Sequence, residues 1–189
     1  MEPDIQSNRA ARKWTRKEQA GRTLWIVSQP LFALSPRPCW GWRRFLLRLF
    51  GARIGKQVRI AQSARISIPW NIEIADEAAI GDQAILYSLG LISIGRRTTV
   101  SQNVHLCAGT HDYQDPSMPL IKSPVVIGNG VWICADAFIG PCVNIGDSSI
   151  VAARAVAVKN VPREAIVAGN PARMIKVRKW RCVPMKRQP

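Results

Sequence analysis

From Ile54 onward a branched aliphatic residue returns at every sixth position, in four blocks: Ile54, Ile60, Ile66; Ile68, Ile74, Ile80, Leu86; Ile94, Val100, Leu106; and Ile127, Ile133, Ile139, Ile145, Val151. The residue four places after most of these is also small or β-branched (Val58, Ala64, Ala78, Ala84, Thr98, Val104, Val131, Ala137, Val143, Ser149, Ala155), and Gly often follows directly, as at Gly55, Gly81, Gly95, Gly128, Gly140 and Gly146. A period of six fits neither the ~3.6 of an α-helix nor a simple amphipathic strand; it is the hexapeptide pattern of a parallel β-helix. Positions i, i+4 and i+6 share one parity, so all can face a core while the residues between them face water. Large residues then fill the corners of a narrow prism and small ones fit between them, with Gly or a short polar residue expected at the bend that ends each strand. No rung buries its apolar face alone, so stability must come from stacking.

The breaks in this period are informative. Ile66 to Ile68 and Leu86 to Ile94 each slip the phase by two residues, which one enlarged turn absorbs. Between Leu106 and Ile127 the register is lost, and the stretch 108–124 holds His111, Asp112, Tyr113, Asp115 and three prolines, Pro116, Pro119 and Pro124. It is expected to be a loop thrust out of the coil, the kind of segment on which function usually sits. Residues 1–52 form a basic and apolar extension outside the repeat, 53–166 the coil, and 167–189 a basic tail. Within the extension, Thr23 to Pro36 is apolar but interrupted by Pro30, and shorter than the ~20 residues that span a bilayer. Trp40, Trp42, Phe45, Leu46, Leu49 and Phe50, mixed with Arg43, Arg44 and Arg48, suggest an amphipathic helix. Packing against the first coil is its expected role; docking on a membrane surface is the alternative.

Charge and rare residues narrow the chemistry. The 189-residue chain carries a formal charge of +15, with 13 of its 27 Lys and Arg in the first 59 residues and seven more from Arg173 onward without an acid. Such a surface attracts polyanions without choosing among phosphorylated small molecules, anionic lipid and nucleic acid. No helix-turn-helix, stacking or zinc motif supports a nucleic-acid partner. Five cysteines, Cys39, Cys107, Cys134, Cys142 and Cys182, lack metal spacing and are expected to be reduced, buried thiols of a cytoplasmic protein. Only two histidines exist, so a three-histidine metal site is not available and no metal is expected. His105 ends its hexapeptide facing outward, where it would decorate the surface or pack between subunits; His111 lies in the loop.

Four motifs carry a family resemblance: Asn-Val-His-Leu-Cys-Ala-Gly-Thr-His-Asp-Tyr from Asn103, Val-Ile-Gly-Asn-Gly-Val-Trp-Ile from Val126, Ile-Gly-Pro-Cys-Val-Asn-Ile-Gly-Asp from Ile139, and Val-Ala-Gly-Asn-Pro-Ala-Arg from Val167. Together they resemble the hexapeptide-repeat acyltransferases that acetylate sugar hydroxyls, among them the galactoside, maltose and nodulation-factor O-acetyltransferases. The run Gly41 to Ala52 and Pro69-Trp70-Asn71 is similar to the colanic-acid-type exopolysaccharide acetyltransferases. The resemblance covers nearly the whole chain after about residue 40. It implies an all-β fold, a left-handed parallel β-helix with a helical N-terminal extension and a short C-terminal tail, assembled as a homotrimer with sites between subunits. Handedness is an implication of the resemblance, since general crossover rules favour the right hand.

The implied chemistry is transfer of an acetyl group from acetyl-CoA to a hydroxyl of a sugar, oligosaccharide or lipid-linked saccharide. His111 aligns with the family's general base, which removes the hydroxyl proton during attack on the thioester. Trp132 matches the tryptophan that walls the pocket, and Ala135 falls where a backbone N–H holds the thioester oxygen. Ala153, Val158, Lys159, Arg173 and Lys176 fall where family members cradle CoA. Cys134, Ala152 and Val158 depart from the family's usual Gly, Gly and Thr. Asp112 and Asp115 are expected to shape the loop rather than orient His111. Asp82, Tyr87, Ser88 and Asn103 are candidates to line the acceptor pocket. A rival from a different class is a noncatalytic scaffold, or an anion- or membrane-surface-binding protein that uses the prism faces and basic extensions.

Overall fold

The computed structural model describes residues 4–180; Cys182 and the end of the basic tail lie outside them. From Arg53 the chain winds through three parallel sheets that form the faces of a prism, a left-handed parallel β-helix. On the first face Ile54, Ile74, Ile94, Ile127 and Ile145 stack in register. On the second, Ile60, Ile80, Val100, Ile133, Val151 and Val167 do so. Ile66, Leu86, Leu106, Ile139 and Ala157 line up on the third. All of these are buried, as is every small residue expected four places after its aliphatic partner.

Residues one coil apart are twenty positions apart in the early coils, thirty-three across the protruding loop, eighteen above it and sixteen at the last step. Eighteen is three hexapeptides; the two extra residues of the early coils enlarge the corner after the third face. Those enlarged corners are stitched to one another. Ser88 Oγ accepts from Ile68 N–H and donates to Ile68 O, both at 2.9 Å, and Asn71 Nδ2 donates to the carbonyls of Ser88 and Leu89. The loop of residues 108–124 leaves from this same corner, where Gly90 N–H bonds Ala108 O at 2.7 Å.

The glycines play a different part from the one expected. Left-handed backbone falls three residues after the aliphatic position, on non-glycine residues such as Gln83, Arg97, Asn103 and Asp136. The Gly that directly follows the aliphatic residue is needed for closeness between coils: a Cβ on Gly81 would lie 2.7 Å from the Gln102 nitrogen and the Ser101 carbonyl carbon of the next coil. Coil spacing, fixed by the ladder of N–H···O=C bonds, leaves no room for that atom.

Three helices precede the coil, α1 (Ile5–Ala10), α2 (Arg16–Ala33) and α3 (Trp40–Leu49). A capping box between Thr15 and Glu18 starts α2. Contrary to the expected interruption, α2 runs through Pro30; the proline sits in the last turn, where losing one bond to a preceding carbonyl costs little continuity. Its inner face buries Trp25 and Phe32, and the Trp25 indole donates to Ile66 O at 2.7 Å.

Helix α3 packs on the first coil through a mixed face that buries Leu46 and Leu47 beside an arginine. Arg43 is fully buried, and its guanidinium donates to Ile60 O, Pro36 O, Arg37 O and Ser35 Oγ. Arg44 donates to Val58 O, and Arg48 to Ile54 O and Gly55 O. Carbonyls of the first coil have no coil beneath them, and arginine, with five donors and no acceptor, satisfies several at once. At the far end, Ala165–Ala168 continues the second face in parallel and Arg173–Val177 folds back antiparallel on it. The basic tail is therefore sheet as far as Val177.

His105 stands half-buried on the third face, edge-on between Tyr87 and Phe138. Its Nε2 is buried with no hydrogen-bond partner, and burial pulls its pKa below the ordinary 6.5. The unfolded chain then takes up more protons as pH falls through that value, so the stability this site supplies is present above it and lost below. Thermal denaturation should register a lower Tm at about pH 5.5 than at about 7.5, and His105→Phe should shrink that fall.

Candidate active site

The protruding loop is a small antiparallel hairpin in which Thr110 pairs with Ile121 and His111 with Leu120. His111 is exposed, and its Nδ1 lies 2.7 Å from Met118 O. A carbonyl can only accept, so Nδ1 carries a proton, and in the neutral ring the lone pair is on Nε2. Asp112 accepts from Gln114 N–H, and Asp115 from the N–H and hydroxyl of Ser117. Both carboxylates fold the loop and neither holds the imidazole.

Met118, in left-handed conformation, is held from outside the loop. Asn8 of α1 donates its amide to Ser117 O and to Met118 O, each at 2.6 Å, and Asp4 N–H bonds Pro116 O at 2.7 Å. Lys13 Nζ in turn donates to Asn8 Oδ1. Met118 O therefore receives both the imidazole and the Asn8 amide. Nothing in the sequence signals either partner: one is a backbone carbonyl seven residues on, the other a side chain 110 positions away.

Trp132 lies on the second face, half-exposed, its indole donating to Ser101 Oγ at 3.0 Å. Ala135 follows at the corner between the second and third faces. At the corners between the first and second faces, the equivalent amides are capped from the coil above: Lys56 by Asp76, Arg96 by Asn129, and Asn129 by Asp147. Above Ala135 stands Ala153, whose side chain offers no acceptor, and among the described residues the Ala135 N–H meets none, as holds also for Gln62, Asp82 and Gln102 at this corner of the lower coils. Cys134 precedes it half-buried, and burial pushes its thiol pKa up, so it remains protonated and a poor nucleophile.

Val158 and Lys159 are exposed just after the third-face strand Val156–Ala157, on the prism edge from which the loop departs. Lys159 and Arg173 line one depression with Ala172 and Met174; Lys176 is exposed further along the same outer strand, away from it. Within one chain the candidates fall into two groups. His111, Val158 and Lys159 share the edge between third and first faces, and Trp132, Ala135 and Ala153 occupy the second face and its far edge.

The acceptor candidates separate similarly. Asn103 is exposed on the same edge as Ala135, bonding Asp82 O one coil below. Asp82 itself is engaged, paired with Arg37 at 2.8 Å and accepting from Ser63. Tyr87 is partly exposed beside His105. Ser88 has to be corrected: it is fully buried with its hydroxyl committed to Ile68, so it supports the corner and faces no ligand. The expected burial of the thiols also fails in part, since Cys142 is exposed and Cys39, Cys107 and Cys134 only half-buried; all four are unpaired.

Comparison with known proteins agrees with this architecture. No protein-family model matches the chain. It is 43% identical over 154 residues to the Escherichia coli (strain K12) protein named for an acetyltransferase role in colanic acid biosynthesis, covering 82% of this chain and 85% of that one. Galactoside O-acetyltransferase of the same organism is 26% identical over 137 residues, 71% of this chain and 68% of the relative. Among solved structures, a maltose O-acetyltransferase from Clostridium difficile 630 superposes with a TM-score of 0.79 at 27% identity, over 88% of this chain and 90% of that one. A hexapeptide-repeat acetyltransferase from Vibrio cholerae, solved with acetyl coenzyme A, shares the fold with a TM-score of 0.80 at 24% identity, over 89% and 92%.

The Asn8 contacts to the loop give a direct test. Replacing Asn8 by Ala should speed amide hydrogen exchange across residues 110–121 by roughly five- to tenfold, the equivalent of about 1 kcal/mol of hydrogen bonding, with exchange in the coil unchanged.

Proposed function

The chain belongs to the hexapeptide-repeat sugar O-acetyltransferases, in the colanic-acid-type group, and from that premise we propose that it moves an acetyl group from acetyl-CoA to a hydroxyl of a sugar or exopolysaccharide precursor. His111 is the general base. The observation that carries this is the 2.7 Å bond from Nδ1 to Met118 O on an exposed ring, which in the neutral imidazole directs the Nε2 lone pair away from the loop carbonyl. Nε2 takes the acceptor's proton as its oxygen attacks the thioester carbonyl, and the imidazolium returns that proton to the departing CoA sulfur. The uncapped N–H of Ala135 receives the negative charge that grows on the carbonyl oxygen. Cys134, although it replaces a glycine, leaves that amide free.

Separation of the candidates on one prism supports a site completed by a second copy. Trp132 and Ala135 of one subunit would face the His111 loop of its neighbour, and a closed homotrimer repeats that contact three times. Val126, Trp132 and Tyr87, all outward-facing apolar residues on the coil, suit such packing. Lys159, Arg173 and Lys176 carry no ion pair among the described residues, as cations awaiting CoA phosphates would. Ala153 and Val158 offer small or apolar surface for the pantetheine arm. Tyr87 and Asn103 stay as contacts for a saccharide acceptor. A CoA thioester donor suits the cytoplasmic side, where the N-terminal extension is the part that would meet a membrane.

Release of free thiol from acetyl-CoA, followed with nucleotide sugars, oligosaccharides and lipid-linked sugars as acceptors, tests the assignment. His111→Ala should lower kcat by about 10² to 10⁴, the usual cost of losing a general base, with Tm unchanged because the ring is exposed. Full turnover by that variant would exclude His111 as the base. Mixing unfolded and refolded His111→Ala and Trp132→Ala chains should restore part of the activity, since some interfaces then unite two intact halves.

A further inference from the structure

Helices α2 and α3 each bury apolar side chains on one side, Trp25 and Phe32 on α2, Leu46 and Leu47 on α3, and leave a second apolar stripe exposed. Leu24, Val27 and Leu31 recur at i, i+3 and i+7 on α2, and each is 58–72% exposed. Trp42, Phe45 and Leu49 repeat that spacing on α3 at 42–68%. The two stripes run side by side. At one end the Trp42 indole donates to Leu31 O at 2.9 Å, and at the other Leu24 and Leu49 line one cavity. Both helices are fixed by their other sides, α2 through Trp25 and Phe32, α3 through its three arginines on first-coil carbonyls. The two stripes therefore adjoin on one outer face of the molecule, and adjoining exposed apolar residues mark an interaction surface where scattered ones do not.

Charge identifies what covers it. Residues 5–50 hold ten Lys and Arg against a single acid, Glu18, which is engaged with Thr15 and Lys122; Arg37, Arg43, Arg44 and Arg48 are committed to Asp82 and to backbone carbonyls, which leaves Arg9, Arg12, Lys13, Arg16, Lys17 and Arg22 to meet an anionic surface. Two such layers from two copies of the chain would repel, whereas anionic headgroups would neutralise them while acyl chains receive the stripes. The Trp42 N–H is already satisfied by Leu31 O, so its ring can enter an apolar layer without stranding a donor. No described helix is long and apolar enough to cross a membrane, which leaves a contact lying flat in the interface.

We propose that the paired stripes of α2 and α3 form a docking face for an anionic bilayer surface. This goes beyond the acetyl-transfer reading and is independent of the catalytic chemistry. The full-length protein, sedimented with phosphatidylcholine vesicles with and without phosphatidylglycerol, tests it. Binding is expected to the phosphatidylglycerol vesicles and should weaken with added salt. The double variant Leu31→Glu, Phe45→Glu should bind about tenfold or more weakly, with Tm unchanged because both sites are exposed. His111→Ala should bind like the unmodified chain, which separates a failure of the docking face from a failure of the enzyme assignment. The proposal is overturned if neither vesicle binds, if the double variant binds as well as the original, or if sedimentation velocity reveals that the stripes hold copies of the chain together.

Discussion

Backbone hydrogen bonds running from coil to coil are the constraint on which this molecule depends. Each short strand is satisfied by the coil above and the coil below, so the interior of the prism is self-supporting and its two ends are not. The chain resolves the ends by different means. At the start, Arg43, Arg44 and Arg48 fill the vacant places with guanidinium donors, and at the finish Arg173–Val177 returns as an antiparallel strand. The stop at the start also decides how α3 is oriented: its arginines point inward together with Leu46 and Leu47, and Trp42 and Phe45 are left outside.

The same logic of borrowed partners governs the loop. Its hairpin holds only two pairs of residues, too few to fix an imidazole unaided. Asn8 supplies the missing restraint from a helix that is distant in sequence, and does so at the carbonyl that also sets the imidazole tautomer. The N-terminal layer thus has two tasks at once. It closes the first coil and braces the segment that carries His111.

Much of the fold was legible because burial in a narrow prism leaves no freedom: every aliphatic position of the six-residue period, from Ile54 to Val151, lies inside. The roles of the small residues were less visible. Gly81 and its equivalents were expected at bends and instead mark the places where coils approach each other, a fact about neighbours that a single strand cannot reveal. Helix α3 looked amphipathic, and it is, but periodicity cannot say which face turns inward when the surface it meets is a row of carbonyls. For the site, His111 could be placed on the loop from the broken period alone. Its dependence on Met118 O and Asn8 could not, because a backbone carbonyl carries no signature in the sequence.

The enlarged corner has a consequence for how such a protein diversifies. Ser88 and Asn71 lock two widened turns to each other, and a third turn at the same place is stretched into the loop, yet Ile94 still meets Ile127 in register. Length variation at this one vertex is insulated from the scaffold, so segments of other sizes and chemistries can be exchanged there over generations without the prism having to be relearned.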